Sequence, residues 1–231
     1  MGGTRVGLPS TISVFLLFIL KDVEMKKIWL TLAGLLLATQ VAAAEFTEGK
    51  QYVALERPAT ARPEAIEFFS FYCPACFAFE NTFHIPQMIR SEMPTDGQFM
   101  QYHVDFLGPL GKDLSQAWAV ANVLGVEQKV APVLFEGIQK TRSIKTPADI
   151  RAAFEKIGVK GDEYDAALSS FMVSSFVAQQ AKAAQDFQVE GVPSIYINGK
   201  FRIEPRGFDA KNNDQFVQQY GALVKFLLQQ K

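Results

Sequence analysis

Residues 66–80, which read IEFFSFYCPACFAFE, decide the fold, because an apolar run leads directly into two cysteines and a new apolar segment. The run is interrupted only by Glu67 and Ser70, which predicts a buried strand over 64–71. We expect a helix over 73–93, with Pro86 as a kink. The cysteines then lie at a helix N-terminus, where free backbone N–H groups and the helix dipole favour thiolate over thiol.

Cys73 and Cys76 are the only cysteines of the chain. Their spacing predicts a redox-active disulfide, with Cys73 as the more exposed nucleophile and Cys76 as the buried resolving thiol. An inert bridge is an alternative, although so short a loop constrains the unfolded chain little. A zinc site is another, but it would need His84 and His103 at a spacing that fits no zinc finger. We predict no metal and no cofactor, and we interpret both histidines as surface residues without a role.

The N-terminal segment carries the pattern of a secretory signal. A basic start at 25–27 is followed by an apolar stretch at 28–37 and by three alanines at 42–44. We therefore expect cleavage before Glu45. Export would place both cysteines in an oxidising compartment, which we predict to be the periplasm.

Residues 1–44 are accordingly predicted to be an upstream extension plus a signal peptide, with the signal at 25–44. An uncleaved membrane anchor is the alternative interpretation. The earlier apolar run at 12–20 is far shorter than the ~20 residues that span a bilayer.

The net charge of −1 gives no basic surface of the kind that binds nucleic acid, so no nucleic-acid partner is expected. The 20 phenylalanines predict either a phenylalanine-rich core or an exposed apolar surface for peptide substrates.

Periodicity and turn residues predict the remaining elements. Strands are expected over 50–55 and 98–106, a hairpin with an Asn198-Gly199 turn over 192–201, and helices over 113–124, 127–140, 146–156, 161–187 and 213–228. A β-α-β start and a β-β-α end therefore flank a helical block. The sequence predicts an α/β, thioredoxin-like fold interrupted by an inserted all-helical domain. The expected division is a thioredoxin-like domain at 45–105 and 182–231 and an insertion at 106–181.

Three segments carry a resemblance to a known family: EFFSF at 67–71, LGKDLSQAWAVA at 110–121, and GVP at 191–193. With the CPAC motif, and in this order, they resemble the DsbA family of periplasmic thiol:disulfide oxidoreductases. The resemblance implies an enzyme that forms disulfides in reduced secreted proteins, with a membrane quinone-linked reoxidase of the DsbB kind as its partner. We expect a monomer, because no dimerisation segment precedes the thioredoxin-like part.

Two positions depart from the family pattern. Ala75 stands where the family has histidine, and Gln101 stands where we expect a lysine facing buried acids. We therefore expect a specialised member, similar to the DsbL type, in which Glu67 and Glu80 lack that lysine as a partner. Without a histidine donor, the predicted pKa of Cys73 is roughly 4–6, still below the ~8.5 of free cysteine.

Further candidate site residues follow from this resemblance. Glu67 is expected to be a buried acid that handles protons for Cys76, although a solvated carboxylate at the strand edge is an alternative. Glu80 lies four residues after Cys76 on the same helical face and is a candidate for tuning the thiolate, or else a solvated glutamate.

The segment around Pro193 is the second part of the predicted site. The resemblance implies a cis Val192–Pro193 bond facing the cysteines, whereas an ordinary trans turn proline is the alternative. The backbone of Val192, with Pro193, Pro74 and Ala75, is predicted to bind an extended substrate peptide.

Two other functions remain open at the level of sequence. A disulfide isomerase or reductant of the same fold is the first, although such proteins usually carry a separate dimerisation domain, which we do not find ahead of residue 45. The second is a peptide-binding chaperone module whose cysteines are incidental.

Overall fold

The computed structural model describes Gly2 and residues 46–230. The predicted extension, signal peptide and cleavage position therefore lie outside the described residues. Within those residues, no helix is long and apolar enough to cross a membrane.

A five-stranded mixed sheet forms the centre of the fold, in the order β1-β5-β4-β2-β3. Its strands are β1 (Tyr52–Ala54), β2 (Glu64–Phe69), β3 (Gln98–His103), β4 (Ser194–Ile197) and β5 (Phe201–Ile203). The central strand β2 pairs in parallel with β3 and antiparallel with β4. Every residue of β2 after Glu64 is buried, as expected for an apolar strand covered on both faces.

Eight α-helices surround this sheet in the described part of the chain. They are α1 (Pro74–Asn81), α2 (Ile85–Glu92), α3 (Gly111–Leu124), α4 (Glu127–Phe135), α5 (Pro147–Lys156), α6 (Gly161–Leu168), α7 (Phe171–Asp186) and α8 (Asn213–Leu228). A π-helical turn, Glu136–Lys140, continues α4, and a 3₁₀ turn, Pro205–Gly207, precedes α8. The predicted helical block and flanking strands are confirmed, whereas the domain limits at 105/106 and 181/182 stay a prediction.

The expected helix over 73–93 is wrong, because the structure has two helices there. His84 adopts a left-handed backbone conformation, with φ of 51°, which separates α1 from α2. Pro86 lies in the first turn of α2 and does not kink a continuous helix. Proline is tolerated there because the first N–H groups of a helix have no partner within it.

The expected helix over 161–187 also divides in two. The Ser170 hydroxyl accepts a hydrogen bond from the Val173 N–H at 3.2 Å and so caps the start of α7. The predicted hairpin turn is confirmed, since Asn198 and Gly199 both have positive φ, as a type I′ turn requires.

Alternation along β2 divides its side chains between three cores. Ile66 and Phe68 face a core on one side of the sheet. On the other side, Ala65 packs in a core with α8, and Phe69 packs in a core with the helical insertion. Glu67 points to the same side as Ala65 and Phe69, so it lies between these two cores.

Candidate active site

Cys73 occupies the N-cap position of α1, as predicted. Its Sγ accepts a hydrogen bond from the Cys76 N–H at 3.3 Å, one of the groups that a helix start leaves unpaired. Both cysteines carry free thiols in this structure. A hydrogen bond from the Cys76 side chain, helped by the backbone N–H groups of Cys76 and Ala75, lowers the pKa of Cys73 to about 6. That value is at the upper end of the predicted range.

The two thiols differ in their surroundings. Cys73 is 8 % exposed and Cys76 is 2 % exposed, which confirms that Cys73 is the more accessible of the two. Pro74 and Ala75 between them are exposed. Burial is the main cause that raises the pKa of Cys76, with the hydrogen bond to Cys73 second. One turn of helix therefore holds an acidified thiol beside one that resists ionisation.

The Val192–Pro193 bond is cis and lies against Cys73, as the resemblance implied. The Cys73 thiol donates a hydrogen bond to the Val192 carbonyl at 3.2 Å. An ordinary trans turn proline is thereby excluded. The segment that precedes β4 thus forms one wall of the site around Cys73.

Glu67 is 2 % exposed, which excludes the solvated carboxylate at a strand edge. Burial, followed by the charge of Glu80, raises the pKa of Glu67 to about 8. Glu67 also contributes to raising the pKa of Cys76, after burial and the effects of Cys73. The Glu67 carboxyl on β2 and the Cys76 thiol on α1 therefore interact electrostatically.

Gln101 takes part in a hydrogen-bonded chain that ends on a cation. Its Nε2 donates to Glu67 Oε2 at 2.9 Å, and its Oε1 accepts a hydrogen bond from the Arg90 guanidinium. The charge of Arg90 lowers the pKa of Glu67 and so opposes the larger effect of burial. The missing lysine therefore does not leave Glu67 without a cation.

Glu80 lies on α1 at an intermediate degree of burial and accepts a hydrogen bond from Gln87 Nε2 at 2.8 Å. Its charge acts on Glu67, whereas the hydrogen bonds that acidify Cys73 come from Cys76 and Ala75. A direct role of Glu80 in tuning the Cys73 thiolate stays a prediction.

The interpretation of His103 as a surface residue is wrong. It is 2 % exposed, because α3 covers the end of β3. Its Nε2 accepts a hydrogen bond from the Phe71 N–H at 3.2 Å, and its Nδ1 lies 2.8 Å from Ser115 Oγ. Burial lowers the pKa of His103 to about 3, so the ring is neutral. Among the described residues, no group of three or more His, Cys, Asp or Glu is placed to hold a metal ion.

Comparisons with known proteins agree with this geometry. The family model for a DsbA-like thioredoxin domain matches residues 65–221. The thiol:disulfide interchange protein DsbA of Yersinia pestis is 52 % identical over 207 residues, which is 90 % of this chain and all of that protein. The chain belongs to the DsbA-like thioredoxin family. Its enzyme class is that of the family's disulfide oxidoreductases.

Solved structures of the same family have the same fold. The crystal structure of Proteus mirabilis DsbA has a TM-score of 0.76 and 46 % identity, over 80 % of this chain and 98 % of that one. A second Proteus mirabilis structure, with a cysteine replaced by serine and the peptide PWATCDS bound non-covalently, has a TM-score of 0.76 and 45 % identity. It covers 80 % of this chain and 99 % of that one. The thioredoxin-like fold with its helical insertion is thus confirmed.

Sequence reasoning missed three residues of this DsbA-like site. They are Arg90, His103 and Gln139, whose side-chain amide donates to the backbone carbonyls of Phe71 and Cys73. No local pattern marks them, because each reaches the site from another element. A partial signal existed for His103: it lies at the end of β3, between Tyr102 and the apolar Val104.

Proposed function

We propose that this protein is an exported oxidase that introduces disulfide bonds into reduced secreted proteins in the periplasm. The observation that carries the proposal is the contrast between an acidified Cys73 at a helix N-terminus and a buried Cys76 that favours the thiol. A stable Cys73 thiolate favours the reduced form of the enzyme, which makes its disulfide form a strong oxidant.

The reaction would proceed by two exchanges from the Cys73–Cys76 disulfide. A substrate thiolate attacks Cys73 Sγ, so that a mixed disulfide forms and Cys76 leaves with the bonding electron pair. A second substrate thiolate then attacks the substrate sulfur of the mixed disulfide and releases the Cys73 thiolate. Two electrons pass from the substrate dithiol to the enzyme pair, and the low pKa of Cys73 speeds the final departure.

Glu67 is suited to supply the proton that the departing Cys76 requires. Its pKa of about 8 means that the carboxyl is mostly protonated at neutral pH, and it is close enough to Cys76 for its charge to raise the pKa of that thiol. After proton transfer, the carboxylate keeps its hydrogen bond from Gln101. This role for Glu67 in proton transfer is part of the proposal.

Substrate peptides would bind across Pro74, Ala75, Val192 and Pro193. Pro74 and Ala75 are exposed beside the nucleophile, and the Val192 carbonyl is already within hydrogen-bond distance of Cys73 Sγ. An extended peptide could replace that contact with a backbone hydrogen bond of its own. The non-covalent complex of the Proteus mirabilis relative with a cysteine-containing heptapeptide supports the binding of peptides by this chain.

Redox equilibrium with glutathione is the experiment that tests the direction of transfer. Trp118 suits the readout, because its ring centroid is 5.0 Å from that of Phe69 in the core that also contains both cysteines. A potential above about −180 mV supports the oxidase, whereas a value near about −270 mV, like that of thioredoxin, indicates a reductant.

Activity assays separate the alternatives. The proposed oxidase should oxidise reduced ribonuclease faster than it reshuffles scrambled ribonuclease, and the opposite order would favour an isomerase. Retention of biological activity in Cys73→Ser would favour a chaperone module. The proposed DsbB-like partner predicts that membranes containing such an enzyme and quinone reoxidise the Cys73–Cys76 pair.

A further inference from the structure

The loop that carries the nucleophile receives its hydrogen bonds from side chains as well as from the sheet. Pairing between β2 and β3 ends at Phe69 and His103, so the backbone at 70–73 has left the sheet. Residues 70–73 are called the catalytic loop below. Within that loop, the Phe71 N–H bonds to His103, and the Cys73 N–H bonds to the Ser70 carbonyl at 3.0 Å.

Gln139 supplies the donors for two carbonyls of this loop. Its Nε2 donates to the Phe71 carbonyl at 2.8 Å and to the Cys73 carbonyl at 2.9 Å. The two protons of this amide nitrogen thus bond to the peptide groups on either side of the Tyr72–Cys73 peptide bond. Because both peptide groups are held by hydrogen bonds, the backbone rotation that would move Cys73 Sγ is limited.

Gln139 lies in the π-helical turn Glu136–Lys140, where the Thr141 N–H bonds to the Glu136 carbonyl five residues earlier. Such turns are rare in helices and occur frequently at functional sites. Phe135, just before the turn, contacts the Phe71 ring at a centroid distance of 4.8 Å. The turn is therefore attached to the catalytic loop by apolar packing that does not depend on the Gln139 amide.

We propose that Gln139 is a positioning residue for the nucleophile, through which the helical insertion fixes Cys73 Sγ against the Cys76 N–H. This inference rests on the proposed function, because it assigns Gln139 a purpose in the same thiol exchange. The hydrogen bond from the Cys76 N–H spans 3.3 Å and depends on the backbone angles of Cys73. Loss of the amide donors would leave the Phe71 carbonyl without this bond and the Cys73 carbonyl with only the one from the Phe77 N–H at 3.0 Å, which loosens those angles and weakens the contact.

The test is a pH titration of Cys73 thiolate absorbance at 240 nm in the reduced protein. Gln139→Met keeps the length of the side chain and removes both donors. We expect its midpoint to rise by about one pH unit, which is roughly a tenfold change in the ionisation constant. Gln179→Met is the matched control, since it removes an amide hydrogen bond of 2.7 Å from the insertion to Tyr102, away from the catalytic loop. The control should keep the wild-type midpoint.

Gln139→Leu is a second, uncharged variant that lacks both donors, and its midpoint should also rise. Wild-type midpoints in both Gln139 variants would overturn the inference. So would unfolding of both variants while Gln179→Met stays folded, because Gln139 would then be needed for folding itself. A wild-type midpoint near the ~8.5 of free cysteine would instead count against the proposed function.

Discussion

The two ends of the first turn of α1 treat the same functional group in opposite ways. At the outer end, a hydrogen bond from the Cys76 side chain, helped by the backbone N–H groups of Cys76 and Ala75, lowers the pKa of Cys73 to about 6. At the inner end, Cys76 is 2 % exposed, and burial raises its pKa. Only two residues of sequence separate a thiol suited to leave as thiolate from one that takes up a proton.

This comparison shows that position relative to a helix start and a sheet determines thiol chemistry. A helix N-terminus stabilises an anion only where its N–H groups can reach it. The side of the same helix that packs on a sheet is a poor environment for charge. Substitutions at either end of the turn should widen or abolish this contrast.

Single-cysteine variants should separate the two thiols most clearly. In Cys76→Ser, Cys73 keeps a backbone and a hydroxyl donor and should react rapidly with iodoacetamide at pH 7. In Cys73→Ser, Cys76 remains buried and should react at least about 100-fold more slowly, because little thiolate is present. Alkylation rates followed by mass spectrometry measure the difference. Equal rates in the folded variants would show that burial of Cys76 does not control its reactivity.

Glu67→Gln should remove a pH dependence of stability. The pKa of about 8 in the folded protein exceeds the ~4.3 of an unfolded glutamate. The folded protein therefore binds an extra proton between these values and loses stability as the pH rises towards 8. We expect Glu67→Gln to raise the free energy of unfolding at pH 9 by up to a few kcal/mol, at about 1.4 kcal/mol per pH unit.

Urea unfolding of the disulfide form at pH 5, 7 and 9 measures this effect without titration of either thiol. Glu64→Gln, at the first residue of the same strand, is the control and should unfold with the pH dependence of the wild type. If Glu67→Gln shows the same decline with pH as the wild type, then Glu67 is not the group that titrates.

Ala75→His should increase the contrast from the outer end. Position 75 is exposed, so the ring can be placed beside Cys73 without disturbing the core. An added donor and positive charge should lower the pKa of Cys73 below its value of about 6, by roughly tenfold in ionisation constant. Thiolate absorbance at 240 nm gives the midpoint. The neutral variant Ala75→Leu is the control, and an equal shift in that variant would assign the effect to bulk.

Much of this fold could be predicted from the chain, because the deciding signals are local. The apolar run before the cysteines, the Asn198-Gly199 turn and the helix-start residues each act over a few positions. The breaks at His84 and Ser170 were harder to predict. Both helical patterns continue through them, and the interruption depends on a left-handed residue in one case and a serine cap in the other.

The sequence alone determined the chemistry of this protein: two cysteines, their spacing, and a helix N-terminus that follows a buried strand. It also placed Glu67 and Pro193 among the candidate site residues. Which groups surround them depends on tertiary packing. Arg90 reaches Glu67 through Gln101, His103 is buried under α3, and Gln139 bonds to the catalytic loop from the insertion. These contacts join elements distant in sequence, and hydrogen bonds between such elements form only when packing brings donor and acceptor within about 3 Å.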